Sequence, residues 1–191
     1  MVTFLWKNIF RNKEKEKGVV QKLSENLLFK DLNLPELAMV EKIVNLRTYR
    51  PGETIFKQGE VGVGMYIISK GSINIYSEEV VPATGEYKSV LVTQLMAGEF
   101  FGDLALVEDN GRRSASAIAS QEAVLIGFFK PDLIEITERN PIAGVKILFR
   151  LGEILGSRLR ETTARFTEIK AVSHQKGLEW FQPPALLLSN A

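Results

Sequence analysis

The stretch GEFFGDLALVEDNGRRSASA, residues 98–117, combines residue types that can bind a small phosphate group. Gly102 and the Asp-Leu-Ala-Leu that follows predict a single helical turn, whose first backbone N–H groups can donate to an anion. Arg113 adds a permanent positive charge and a planar fork of donors that matches phosphate oxygens. Ser114 can donate a hydrogen bond from its hydroxyl, and the small side chain of Ala115 allows a ligand to come close to the backbone.

Asp103 narrows the kind of ligand that this stretch could hold. Its carboxylate can accept a hydrogen bond from a sugar hydroxyl but would repel a second anion. One phosphate group with a sugar hydroxyl beside it therefore suits the stretch best. The adjacent Arg112 is interpreted as a solvated loop residue, because charged side chains in loops usually face water.

The composition argues against several other classes of function. The 191-residue chain has no cysteine and one histidine, His174, so a thiolate site or a metal centre with several histidine ligands is not expected. A net charge of +1 gives no overall positive field that would attract nucleic acid. The sequence also has no P-loop, the glycine-rich motif that binds nucleoside triphosphates. We predict a protein that is not an enzyme and holds no metal. The sequence has no run of roughly 20 apolar residues, so no membrane span is expected. The absence of cysteine fits a reducing compartment, so the protein is expected to be cytoplasmic.

Alternation of apolar and polar residues between Pro51 and Phe129 predicts the strands that position this stretch. Turns are expected where glycines interrupt the alternation, as at Gly59, Gly71 and Gly98. The predicted fold class is mainly β with flanking helices, an α+β arrangement. An antiparallel β-roll or jelly roll would occupy about residues 46–129.

Helical periods flank the strands on both sides. Two short helices are predicted before residue 50, the second with a capping box of Asn33 and Glu36. Helical periodicity returns at residue 131, and Pro141 opens a long helix that is expected to end near Lys170. The expected organisation is an N-terminal extension over residues 1–19, a domain over residues 20–170 with C-terminal helices over 131–170, and an irregular tail over residues 171–191.

The order PGETIFKQGEVGVGMYIISKGSINIY, then GEFFGDLALVEDNGRRSASA, resembles the cyclic nucleotide-binding domain family. The cassette of that family runs Phe-Gly-Glu-Leu-Ala-Leu, then a short variable loop, then Arg and Ala-rich residues. The similarity covers roughly residues 22 to 170. The resemblance implies a β-roll like that of catabolite activator-type regulators and protein kinase regulatory subunits. It also implies cAMP, or alternatively cGMP, as the ligand.

The resemblance assigns roles to individual residues of the cassette. Gly102, Leu104 and Ala105 would form the turn that offers backbone N–H groups to the nucleotide. Arg113 would bind the cyclic phosphate together with Ser114 and Ala115. Asp103 replaces the family's usual Glu, which is expected to bind the ribose 2′-hydroxyl, and it is shorter by about 1.5 Å. Its reach is therefore reduced, and weaker binding is expected.

The resemblance also assigns positions to the nucleotide base. Val92 and Thr93 lie where the family contacts the purine. The outer side of the base would be covered from the C-terminal helix by Thr162, Thr163 or Phe166, through a hydroxyl or a ring.

Two functions are consistent with this sequence. The first is a stand-alone regulatory module that binds cAMP and signals to an effector protein by moving its C-terminal helix. The leucine stripe from Leu148 to Leu159 could pack on its own roll or form a homodimer. Only 21 residues follow Lys170, too few for a helix-turn-helix, so direct DNA binding is not expected. The alternative is an interaction or scaffold domain of the same fold that has lost nucleotide binding, as Asp103 could indicate.

Overall fold

The computed structural model describes residues 18–81 and 84–175. Most of the predicted N-terminal extension and the tail from residue 176 therefore lie outside the described residues. Four helices are described: α1 (residues 18–25), α2 (Leu34–Ile43), α3 (Lys130–Arg139) and α4 (Pro141–Gln175). The strands are β1 (Asn45–Tyr49), β2 (Thr54–Phe56), β3 (Gly64–Lys70), β4 (Ser72–Val80), β5 (Tyr87–Met96), β6 (Phe100–Phe101), β7 (Ser116–Ala119) and β8 (Ala123–Phe129).

The strands form two antiparallel sheets of four strands each. One has the order β1-β8-β3-β6 and the other β2-β7-β4-β5. The buried core includes residues from both sheets, whose alternating side chains point inward, namely Tyr49, Ile68, Ile73, Phe101, Ala117, Ala119, Ala123 and Leu125. The predicted antiparallel β-roll with flanking helices is confirmed.

The N-terminal helices are fixed by a cap and by contacts with the C-terminal part of the domain. The capping box is confirmed: Asn33 Oδ1 accepts from Glu36 N at 2.9 Å, and a Glu36 carboxylate oxygen accepts from Asn33 N at 2.8 Å. The same carboxylate accepts two hydrogen bonds from Lys146 Nζ, at 2.9 and 2.8 Å. The ring of Phe29 packs edge-on against Phe128, with centroids 5.2 Å apart. The region before β1 is thus joined to β8 and α4.

The long helix α4 extends to Gln175, beyond the predicted end at Lys170. Residues 171–175, expected as the start of an irregular tail, are helical, and they contain neither proline nor glycine. The chain divides into two compact units after Leu151, within α4. Leu151 is buried, whereas residues 152–172 are half-buried or exposed. Within the predicted leucine stripe, Leu151 is buried, while Leu148 and Leu159 are 41% and 68% exposed.

Candidate functional site

The centre of the candidate site is a 3₁₀ turn, Asp103–Leu106, which follows β6. Gly102 precedes the turn with φ 79°, a left-handed conformation that favours glycine. Ala105 N donates to Gly102 O at 3.2 Å, which closes the turn. Asp103 and Ala105 are buried, while Leu104 is 47% exposed. The predicted helical turn is present at the predicted residues.

The loop that follows the turn is fixed to the segment between β2 and β3. Arg113 N donates to Glu60 O at 2.8 Å, and Gly59 N donates to Arg113 O at 2.8 Å. Gly62 N donates to Gly111 O, also at 2.8 Å. These bonds fix the backbone of Arg113 on both sides and direct its side chain toward the turn.

The guanidinium of Arg113 is buried beside the turn. The residue is 8% exposed. Its Nη1 donates to Gly102 O at 3.1 Å, and its Nη2 donates to Gly64 O at 2.7 Å. Among the described residues, Nε–H has no hydrogen-bond partner although it is buried. A guanidinium has five N–H donors, so donors remain for an anion.

The guanidinium also lies over an aromatic ring. Cζ of Arg113 is 4.1 Å from the ring centroid of Phe56, a cation–π contact. Burial lowers the pKa of Arg113 from its ordinary value, while Tyr66 and Glu60 act in the opposite direction. Arginine stays protonated in proteins. The site therefore contains a desolvated positive charge, which binds an anion more strongly than a hydrated charge does.

Glycines surround this guanidinium. A Cβ on Gly102 would lie 2.5 Å from Nη1 of Arg113, and a Cβ on Gly62 would lie 3.3 Å from its Cζ and Nε. Phe56, Gly62 and Gly64 are site residues that were not predicted from the sequence. The Gly-x-Gly spacing at residues 62–64 is a signal in the sequence, but only the strand register shows that it faces Arg113.

The structure brings Gly102, Asp103, Leu104, Ala105 and Arg113 together around the turn. Asp103 is 2% exposed, so its carboxylate is covered in this conformation. Ser114 is exposed and Ala115 is half-buried, next to Arg113 in the chain. Their contacts with a nucleotide, and the contact of Asp103 with a ribose, stay predictions.

The residues assigned to the nucleotide base lie on β5 and α4 and are exposed. Val92 is the extra residue of a β-bulge in β5, because Ile75 pairs with Thr93 while Tyr76 pairs with Leu91. Val92 is 59% exposed, and Thr93 is also exposed. Their contact with a base stays a prediction.

Thr162 and Thr163 belong to the second compact unit, on α4. Both are exposed, and their hydroxyls donate to the carbonyl oxygens of Arg158 and Leu159, each at 2.8 Å. Phe166 is 55% exposed. The covering role of these three residues also stays a prediction.

The described residues contain neither a metal-binding cluster nor a membrane-spanning helix. Within residues 18–81 and 84–175, His, Asp and Glu side chains form no group of three or more that could hold a metal ion. In the same residues, every helix is too short or too polar to cross a membrane.

The comparisons with known proteins agree on one family. Residues 46–140 match the model described as the cyclic nucleotide-binding domain. A cyclic AMP receptor protein of Thermus thermophilus is 30% identical over 134 residues, which are 70% of this chain and 57% of the relative. The cyclic nucleotide-gated channel beta-3 of Mus musculus is 33% identical over 138 residues, 71% of this chain and 18% of the channel. The crystal structure of the Thermus thermophilus catabolite activator protein gives a TM-score of 0.64 at 28% identity, covering 76% of this chain and 63% of that one.

The β-roll with its buried cassette arginine is thus that of a ligand-binding regulatory domain. The chain belongs to the cyclic nucleotide-binding domain family. It spans 57% of the receptor protein and 18% of the channel that it matches. The resemblance stated from the sequence is confirmed, and it concerns the domain that these proteins share.

Proposed function

We propose that this protein is a regulatory module that binds cAMP through its buried cassette arginine, with cGMP as the alternative ligand. The observation that carries the proposal is the guanidinium of Arg113, held beside the 3₁₀ turn with a buried Nε–H that has no partner among the described residues. A phosphate oxygen is the acceptor that such a donor favours. The preference for cAMP is taken from the named relatives, among them a cyclic AMP receptor protein. Calorimetric titration with both nucleotides tests the proposal.

We further propose that binding is reported by motion of the C-terminal helices and that the output is received by an effector protein in the cytoplasm. Gly64, whose carbonyl accepts from Arg113, pairs with Phe129 at the end of β8, directly before α3. Lys130, the first residue of α3, donates its N–H to Val63 O at 2.9 Å. A ligand drives such a change only through unequal affinity for two conformations. Amide hydrogen exchange across α3 and α4, with and without cAMP, measures the motion.

Self-association through α4 is part of this proposal. Leu159, Phe166 and Ile169 are 68%, 55% and 56% exposed, and their spacing of seven and three residues is that of a coiled-coil seam. A second copy of the helix would cover them. The mass of the protein in solution, measured by light scattering for wild type and Phe166→Glu, tests for a homodimer. We do not expect direct DNA binding or enzymatic activity.

A second candidate function is an interaction or scaffold domain that keeps the fold without useful nucleotide affinity. Two observations favour it: Asp103 is 2% exposed, and two donors of Arg113 are already used by backbone carbonyls. If millimolar cAMP and cGMP both fail to bind the wild type, the scaffold function replaces the sensor function.

A further inference from the structure

Phe56 is placed where it can set the orientation of the cassette arginine. Its ring centroid lies 4.1 Å from Cζ of Arg113, and the two residues are far apart in the chain. We propose that Phe56 is a positioning residue, which holds the guanidinium in the plane that presents Nε–H to a phosphate. This inference rests on the proposed function, since the oriented arginine needs an anionic ligand to bind.

The ring of Phe56 is itself fixed by two other rings. Its centroid is 6.1 Å from that of Tyr66 and 5.7 Å from that of Phe101. Tyr66 and Phe101 stack on one another at 5.6 Å. Phe56 is the last residue of β2 and pairs with Ala117 of β7. A ring that is restrained by strand pairing and by two neighbours offers a fixed surface to the guanidinium.

The other contacts of the guanidinium are made at its nitrogen atoms. Gly102 O and Gly64 O accept from Nη1 and Nη2, which fixes the end of the fork. Gly62 has no side chain where a Cβ would lie 3.3 Å from Cζ and Nε, so room is left beside Nε. Cζ of Arg113 lies over the ring of Phe56, and the electron-rich ring attracts the desolvated cation. Together these contacts define one plane for the guanidinium.

A leucine at position 56 would still fill apolar space but would offer no ring face. A tyrosine would keep the ring and its quadrupole. If Phe56 only fills the core, the two substitutions should affect nucleotide binding equally at equal stability. If it positions Arg113, only Phe56→Leu should weaken binding, and only when Arg113 is present.

The orientation can be measured without nucleotide. In the full chain labelled with ¹⁵N, we expect the Nε–H proton of Arg113 to resonate upfield, because the ring current of Phe56 acts on it. The shift should persist in Phe56→Tyr and disappear in Phe56→Leu. Should Phe56→Leu fail to fold, Phe56→Met serves in its place. An Nε–H resonance that is unchanged in the folded aliphatic variant would overturn the inference whatever the nucleotide affinity.

Calorimetric titration with cAMP then tests the consequence for binding. We expect Phe56→Leu to weaken binding about 3- to 30-fold and Phe56→Tyr to bind within about 2-fold of wild type. In an Arg113→Ala background, Phe56→Leu should have almost no further effect. Equal losses in both backgrounds would overturn the inference while leaving the proposed function intact. A wild type that binds neither cAMP nor cGMP would overturn the proposed function and this inference with it.

Discussion

Nη2 of Arg113 lies 2.7 Å from the carbonyl oxygen of Gly64, a residue 49 positions earlier in the chain. Gly64 opens β3 and pairs with Phe129, the last residue of β8. The next residue, Lys130, begins α3. A phosphate that draws the guanidinium away from Gly64 O would therefore act at the residue paired with the end of β8. The proposed phosphate site and the start of the C-terminal helices are thus connected through Gly64.

Gly102→Ala should weaken cAMP binding at least about 10-fold, because hydrogen bonds to charged groups contribute about 1.5–3 kcal/mol each. A Cβ at this position would lie 2.5 Å from Nη1 of Arg113 and would displace the guanidinium. Gly52→Ala is the matched control, since Gly52 has the same φ of 79° and has nothing within 4 Å of its Cβ position. Both variants should lose about 1 kcal/mol of stability from backbone strain. Equal cAMP affinity in the two variants would contradict the account.

Asp103→Glu should tighten cAMP binding about 2- to 10-fold, the effect of one hydrogen bond that becomes direct instead of water-mediated. The longer side chain extends the carboxylate by about 1.5 Å toward a ribose hydroxyl. Asp109→Glu, which makes the same extension on a 91% exposed side chain of the cassette loop, should leave affinity unchanged. Calorimetry measures both. Unchanged or weaker binding by Asp103→Glu would count against a ribose role for this carboxylate.

The fold and the cassette could be predicted because their signals are local. Period-two alternation predicts the strands, and Gly102 to Leu106 predicts a turn whatever surrounds it. Phe56, Gly62 and Gly64 could not be assigned, since their contact with Arg113 depends on which strands pair and in which register. The burial of Asp103 could not be predicted for the same reason. Sequence identifies the charged residue at the site, and tertiary packing decides which atoms orient it.

The Glu36–Lys146 pair should make stability depend on pH in the acid range. Burial raises the pKa of the Glu36 carboxyl, but hydrogen bonds from Lys146 and Asn33 outweigh this effect and lower it below its ordinary value of 4.5. The contribution to stability is therefore full above about pH 4.5 and is lost as the pH falls through the lower pKa of the folded state. Lys146→Met should cost about 1–3 kcal/mol at neutral pH and should flatten the loss of stability below pH 4.5.

Chemical denaturation of wild type and Lys146→Met between neutral and acid pH measures how the stability of each changes with pH. Lys70→Met is the control, because the Lys70–Glu122 pair joins side chains that are 69% and 63% exposed. Such exposed pairs contribute little, so this variant should follow the wild-type curve. Parallel curves for Lys146→Met and wild type would show that the pair does not set the acid sensitivity.

The most direct measurement is calorimetric titration of cAMP and cGMP into wild type, Arg113→Ala and Arg112→Ala. Arg112 is exposed and donates to Gly59 O at 2.7 Å, so it controls for the loss of one positive charge in the same loop. The account predicts that wild type binds a cyclic nucleotide and that Arg112→Ala changes affinity by less than about 2-fold. Arg113→Ala should weaken binding about 30- to several-thousand-fold, the effect of removing one side of a desolvated charge pair. Equal affinity of wild type and Arg113→Ala, or no binding of either nucleotide to wild type at millimolar concentration, would contradict it.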